Sequence, residues 1–339
     1  MTRNCPPRSV AGAEMLNVAY KITLGSASYQ SGKSSRLVDL DSHAALGIPV
    51  NTCRVTLDGQ AQVSLKPGDE IKIELGYDKT LVKVFSGQVD TFERGIQHLT
   101  VNGASSFSVL TAARFNRLYE KQNAGDIVSD LLGKLKVKKA TVETGEKFAT
   151  FTVSDHQSIW AVLERLAWRC GFDFYADTDD KAVFKKYAAQ TTHTMEYGLH
   201  ILAYSQESLA PALDGVEVYG ESPVGQGQGD DASSWLRKKE VKGSAGKTSG
   251  NVLRLADASA RTQDLARALA GNILKANQSP ACGRMRVLGQ AEIKLGDAVK
   301  VAKMPDLAQN GVYKVTGVRH RLNNRLGFVT EISWEKLPQ

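Results

Sequence analysis

The stretch that decides the fold is residues 154–187, SDHQSIWAVLERLAWRCGFDFYADTDDKAVFKKY. Ser154 and Gln157 stand at capping-box spacing, where each side chain can satisfy an amide at a helix start. Ile159, Val162, Leu163, Leu166, Ala167 and Cys170 follow at i, i+3, i+4, i+7, i+8 and i+11, a single apolar stripe. Gly171 ends the helix, because glycine takes the left-handed conformation without a Cβ clash. Phe172 and Phe174 then alternate as a strand, residues 177–181 form an Asp-rich turn, and residues 182–187 return. The stretch predicts a helix packed on a hairpin. Trp160 and Trp168 lie off the main stripe, where they either widen the buried face or meet another domain or subunit.

Outward from this centre the pattern is β. Toward the N-terminus, strands are expected over 17–24, 50–57, 70–77, 81–89 and 97–102, with a turn at Lys66-Pro67-Gly68-Asp69 and a short helix over 105–114. Residues 1–14 read as an arm. Asn123 is placed to cap a helix carrying Ile127, Val128, Leu131, Leu132 and Leu135, and residues 148–153 read as a strand. Toward the C-terminus, strands are expected over 200–204, 215–220, 283–288, 297–302, 312–318 and 327–334, a helix over 257–277, and a Gly/Ser-rich loop over 222–250. That helix is alanine-rich and suits either a neighbouring protomer or its own β unit.

Two turn–strand segments match. Residues 66–73 (KPGDEIKI) and 294–301 (KLGDAVKV) share K-x-G-D-x-[IV]-K-[IV], and each is followed by a glycine-centred strand (Gly87, Gly317), a break and another strand. This repetition predicts a duplicated β-barrel unit. The fold class expected is mainly β with an α+β insertion: a first barrel over 1–115, a middle helix–hairpin domain over 116–190 and a second barrel over 191–339.

The order of these blocks resembles the late control protein D family, the baseplate hub proteins of contractile phage tails and phage-tail-like bacteriocins, and the N-terminal part of type VI secretion spike proteins. The carriers are KPGDEIKI with FSGQV, YEKQNAGDIVSDLL at 119–132, the central helix–hairpin, and LGDAVKV with GVYKVTGVRHRLNNRLGFVTEISW at the C-terminal end. The resemblance implies a homotrimer whose six barrels imitate a six-fold ring and join a hexameric tail tube protein to a trimeric central spike protein. Other baseplate proteins and a tape measure protein are further implied partners. The implied location is a virion or tail-like particle, assembled in the bacterial cytoplasm. Type VI spike proteins continue into an OB domain and a needle, whereas this sequence ends at Gln339, so a separate hub is expected.

Composition agrees with a soluble, multi-domain protein: 339 residues, 42% hydrophobic. No apolar run approaches the roughly 20 residues of a membrane span, and MTRNCPPRSV has no signal-peptide h-region, so no stable membrane insertion is expected. The net charge of +7 is spread out, with short clusters at 134–139 and 237–239, which argues against sequence-specific nucleic-acid binding.

Signals for chemistry are weak. Gly243-Ser-Ala-Gly-Lys247-Thr248 resembles the end of a phosphate-binding loop, but Val241 stands where the leading glycine belongs, and Ser249-Gly250 follow where a helix should start. Gly225-Gln-Gly-Gln-Gly229 lacks the strand–helix context of a dinucleotide fingerprint. The enzyme alternative rests on that degenerate loop or on peptidoglycan hydrolysis at a tail tip. Cys5, Cys53, Cys170 and Cys282 have no zinc spacing, and Cys170 reads as a core residue. His43, His98, His156, His193, His200 and His320 have none either; His156 is expected in a helix first turn and His320 at the surface. Asp179-Asp180 and Asp230-Asp231 read as turn residues. No catalytic, cofactor or metal residue is assigned.

Overall fold

The computed structural model describes residues 17–32, 35–208, 210, 212–221 and 241–337. The expected arm over 1–14, Cys5, the 225–229 glycines, the 237–239 cluster and the first part of the expected 222–250 loop lie outside the described residues.

The first β segment is β1 (Val18–Leu24), β2 (Ala27–Gln30), β3 (Leu37–Ala45), β4 (Thr52–Asp58), β5 (Glu70–Tyr77), β6 (Thr80–Arg94) and β7 (His98–Ala104). Its strands are joined antiparallel in the order β3-β4-β7-β6-β5-β1-β2. They enclose a core of Ile22, Leu40, Val55, Leu57, Ile71, Ile73, Phe85 and Val101. Helix α1 (Ser108–Ala112) is shorter than the expected 105–114. Ser105 instead accepts the Asn51 amide at its Oγ, 3.1 Å away, which ties the end of β7 to the start of β4.

The middle segment is β8 (Arg117–Asn123), α2 (Ala124–Lys134), β9 (Lys139–Val142), β10 (Lys147–Val153), α3 (Ile159–Cys170), β11 (Phe172–Ala176) and β12 (Ala182–Lys186). Helix α3 buries Ile159, Trp160, Val162, Leu163, Leu166, Ala167 and Cys170, and Gly171 takes φ 64° at its end. The helix-on-hairpin reading holds, and the buried Trp160 and half-buried Trp168 widen the packed face. The expected capping box does not form: residues 154–157 make a separate turn, and α3 starts one turn later at Ser158, whose Oγ accepts the Ala161 amide at 3.3 Å. Asn123 is the N-cap of α2 by position, but its side chain bonds Asp126 rather than an amide.

The last segment holds β13 (Thr192–Glu196), β14 (Ile201–Ser208), β15 (Gly215–Gly220), β16 (Val241–Gly246), β17 (Val252–Asp257), α4 (Gln263–Ala276), β18 (Ala281–Leu288), β19 (Ala298–Ala302), β20 (Gly311–Asn323) and β21 (Gly327–Glu335). Two expectations need correction. Residues 241–246 of the expected 222–250 loop form β16, which pairs with β15. The helix expected over 257–277 starts at Gln263, because 252–257 is strand β17 and Thr262 provides the cap. Moreover, α4 and the β15–β17 sheet share one core with the middle segment, Leu269, Ala270 and Ile273 meeting the cluster that holds Leu163 and Leu166. Asn272 donates to the Arg169 carbonyl at 2.9 Å, and Arg169 pairs with Asp257 at 2.6 Å. The alanines of α4 therefore permit close packing on α3 within the chain.

The remaining strands run β14-β18-β21-β20-β19-β13 around a core of Met195, Met285, Val299, Tyr313, Val315, Ile332 and Trp334. The fold is mainly β with an α+β insertion, as expected. Pairing between β3 and β20 joins the two β segments into one 13-stranded sheet.

Candidate functional site

Six strands of the first β segment are repeated in the second. The order β3-β4-β7-β6-β5-β1 in the first corresponds to β14-β18-β21-β20-β19-β13 in the second, in the same chain order. The turns before β5 and β19 have one geometry: Gly68 and Gly296 sit at φ 92° and 90°. Asp69 accepts the Lys66 amide at 2.8 Å, and Asp297 accepts the Lys294 amide at 3.2 Å. Glycine alone takes that φ without strain, which is why K-x-G-D recurs.

The irregularities repeat as well. The register shifts between Val89 and Thr91 in β6 and between Val315 and Gly317 in β20. It shifts again between Leu37 and Asp39 in β3 and between Ile201 and Ala203 in β14. A bulge re-aims a strand at a fixed position, so matched bulges mark matched bends. They also correct the expected alignment: Gly317 corresponds to Thr91, and Gly87 to Tyr313, since Gln88 and Lys314 occupy the same place opposite Glu70 and Ala298. Three departures remain: β2 has no counterpart, the shift between Ile73 and Glu74 in β5 is not repeated in β19, and β1 runs antiparallel to β5 while β13 runs parallel to β19.

The junction of the two units is the antiparallel pairing of β3 with residues 317–323 of β20. On its outer face Arg319 Nε donates to both Asp41 oxygens, at 2.8 and 3.0 Å, and Asn323 Nδ2 donates to Asp39 at 2.8 Å. On its inner face Val318, His320 and Leu322 are buried. Arg54, Arg284, Arg286 and Arg319 share the outer face with Asp41 and Glu331, an association of charges brought about by the pairing of distant strands. Linear spacing could not reveal it.

The candidates for chemistry are placed elsewhere and are not brought together. Gly243 and Gly246 lie in β16 with Val218 and Gly215 opposite, so the backbone of this run belongs to a sheet. Lys247 pairs with Asp214 at 3.4 Å. This geometry is not a phosphate cradle, in which a loop aims its free amides from a helix start. Asp179 pairs with Lys83 at 2.6 Å, and Asp180 accepts the Ser106 amide at 2.9 Å, so this turn docks the middle hairpin on the first β unit. Burial pushes the Asp180 carboxyl up to about 6.

His320 is a correction: it is buried, with Nδ1 3.1 Å from Thr330 Oγ1, and burial pushes it down to about 4. His193 Nε2 lies 3.0 Å from Asp297 Oδ2. His156 is exposed in the turn before α3, outside the helix. Cys53 and Cys170 are buried free thiols. Among the described residues no group of three or more His, Cys, Asp or Glu is arranged to hold a metal, and no helix is long and apolar enough to cross a membrane.

Comparison with known proteins places this geometry. The chain belongs to the Alg8 N-terminal domain family, whose model matches residues 56–324. No curated protein matches its sequence. Among solved structures it is similar to the 43 kDa tail protein of prophage MuSo2 from Shewanella oneidensis, with 13% identity and a TM-score of 0.69 over 94% of this chain and 98% of that one. It is similar to the tail protein from Neisseria meningitidis MC58, with 14% identity and a TM-score of 0.68 over 94% and 96%. It also resembles the E. coli c3393 protein, a type VI secretion system component with structural similarity to the T4 tail proteins gp27 and gp5, at 12% identity and a TM-score of 0.55 over 90% and 76%. The fold is that of phage tail proteins, as the sequence resemblance implies.

Proposed function

We propose that this member of the Alg8 N-terminal domain family is a structural, non-enzymatic hub of a contractile phage tail, phage-tail-like bacteriocin or related particle. Three chains form a ring whose six β units imitate six-fold symmetry. One face meets the hexameric tail tube protein, and the other meets the trimeric central spike protein. Further baseplate proteins and the tape measure protein are the remaining candidate partners. The protein resides in the assembled virion or tail-like particle, put together in the bacterial cytoplasm. The domain division that suits this role is a first β unit ending near 105, a second built from β13, β14 and β18–β21, and a middle α+β body that includes α4 and β15–β17.

The observation that supports this reading is the six-strand repeat with matched bulges. Two equivalent units on one chain are what a three-fold assembly needs to face a six-fold one, and a closed ring satisfies its own interfaces. The shared fold of the Shewanella and Neisseria tail proteins points the same way. Ring contacts of an obligate kind bury about 2,000 Å² or more per pair. Co-expression with candidate tube and spike proteins, followed by sedimentation, tests the role. The expected complex carries three copies of this chain and binds both partners; a monomer that binds neither contradicts it.

A further inference from the structure

Because the units are equivalent, β6 is the counterpart of β20, and β14 is the counterpart of β3. Strand β20 is longer than its neighbour: β19 covers residues 311–314, and β3 then covers residues 317–323 on that same side. Strand β6 has the same build. β5 covers it only as far as Gln88, while β7 covers the opposite side out to Arg94. Among the described residues Val89 is held by the turn, through Asp69 and Gly68, no strand pairs with residues 91–94 on the β5 side, and β14 pairs with β18 alone among the strands. An unpaired strand edge is a template for another strand.

Exposure differs at the β6 edge as the missing neighbour requires. Val318 and Leu322 are 4% and 9% exposed under β3, whereas their counterparts Phe92 and Ile96 are 37% and 99% exposed. Apolar side chains thus stand open where the equivalent ones are sealed.

We propose that β14 of one chain pairs antiparallel with residues 92–94 of β6 in a second copy, repeating between chains the junction that β3 and β20 make within one. The occupant is a second copy because the strand that fits is the one this chain already carries at the far end of its sheet. The contact is head to tail, so repetition closes a ring when the rotation permits. The number of copies rests on the hub reading; the contact rests on the strand equivalence alone.

Transferring the β3–β20 register sets Phe92 across from Ser208, Glu93 across from Glu207 and Arg94 across from Gln206. The charges differ from the internal junction. There Arg319 on β20 clamps Asp41 on β3, with Arg54 opposite Asp41 on β4. Here the acid, Glu93, is on β6; the small Ser205 takes the place of Asp41; and the exposed Arg284 lies opposite Ser205 on β18, free to reach over it toward Glu93 and Glu207.

The test is a disulfide pair, Glu93→Cys with Glu207→Cys, in a full-length chain carrying Cys5→Ser and Cys282→Ser. Cys53 and Cys170 stay, since both are buried and burial raises both thiols. Expected on oxidation are covalent oligomers running up to the ring, with each single variant giving at most a dimer. Phe92→Asp, which places a carboxylate in the seam, is expected to shift the sedimenting species to monomer while circular dichroism stays native; Phe92→Val, the residue type of Val318, keeps the oligomer. A trimer that resists Phe92→Asp and forms no cross-link overturns this contact and leaves the hub reading standing. A cross-link confined to single chains overturns it as well. A chain that stays monomeric with its tube and spike partners present removes both.

Discussion

Lys314 Nζ lies 2.8 Å from Asp173 Oδ1, a contact between residues 141 positions apart. It joins β20 of the second β unit to β11 of the middle hairpin, with Glu335 3.1 Å from the same nitrogen and the Tyr187 ring 5.0 Å away. Burial opposes the Lys314 charge, but Asp173 and Glu335 outweigh it and hold the ammonium above its ordinary range. Lys314→Ala leaves two carboxylates without their cation in a half-dry site, so a loss of about 3 kcal/mol is expected by urea denaturation. Lys314→Met, which keeps the stem, should cost less. Since the folded value is raised, this contribution is complete at neutral pH and fades only as alkaline pH passes through the folded value.

Acid stability carries two opposed signatures. His320 is neutral when folded, with its value down near 4, so protons bind the unfolded chain first as pH falls below the ordinary histidine range. That costs stability between about pH 6.5 and 4, up to about 3 kcal/mol. Asp180 is raised to about 6, so it binds a proton earlier when folded and offsets part of this loss between about pH 6 and 4. His320→Gln is expected to flatten the acid side of a plot of melting temperature against pH. Asp180→Asn is expected to steepen it and to raise the melting temperature at pH 7.

The start of α3 separates two serines. Ser158 accepts the Ala161 amide, so Ser158→Ala is expected to cost about 1 kcal/mol. Ser154 holds only the turn before the helix, through the His156 amide at 3.3 Å, and Ser154→Ala should cost less. Equal losses in denaturant melts would argue for the capping box that the sequence spacing suggested.

Across the internal junction, Asp41→Ala and Arg319→Ala are each expected to destabilise by about 1 kcal/mol or less, because this bidentate pair faces solvent. A double-mutant cycle should return a coupling of similar size. A coupling indistinguishable from zero would leave the backbone ladder and the buried Val318 and Leu322 as the whole of the junction.

The sequence was most legible where local chemistry and tertiary packing agree. The apolar stripe of α3, Gly171 and the K-x-G-D turns each dictate a backbone conformation by themselves, and the observed elements follow them. Strand β3 was missed because its bulge between Leu37 and Asp39 breaks the two-residue alternation by which strands are read. Strand β16 was missed because Gly243, Ser244, Ala245 and Gly246 carry loop composition. Its glycines are needed for contact: a Cβ at Gly243 would lie 2.1 Å from the Arg267 nitrogen on α4. The attachment of α4 to α3 was illegible, since nothing in an alanine-rich helix names the surface it covers. The repeat was legible in outline but misaligned past the turn, because one glycine-centred strand was matched to another four residues out of step. The β3–β20 junction and the two open edges depend on long-range pairing that periodicity does not encode.

End-on averages from electron cryo-microscopy of the purified complex with tube and spike test the central claim most directly. Six evenly spaced densities around the ring, alike at low resolution and resolving into two alternating kinds at high resolution, are predicted. A ring in which the β units of each chain occupy non-equivalent radii, with no six-fold modulation, would contradict the account.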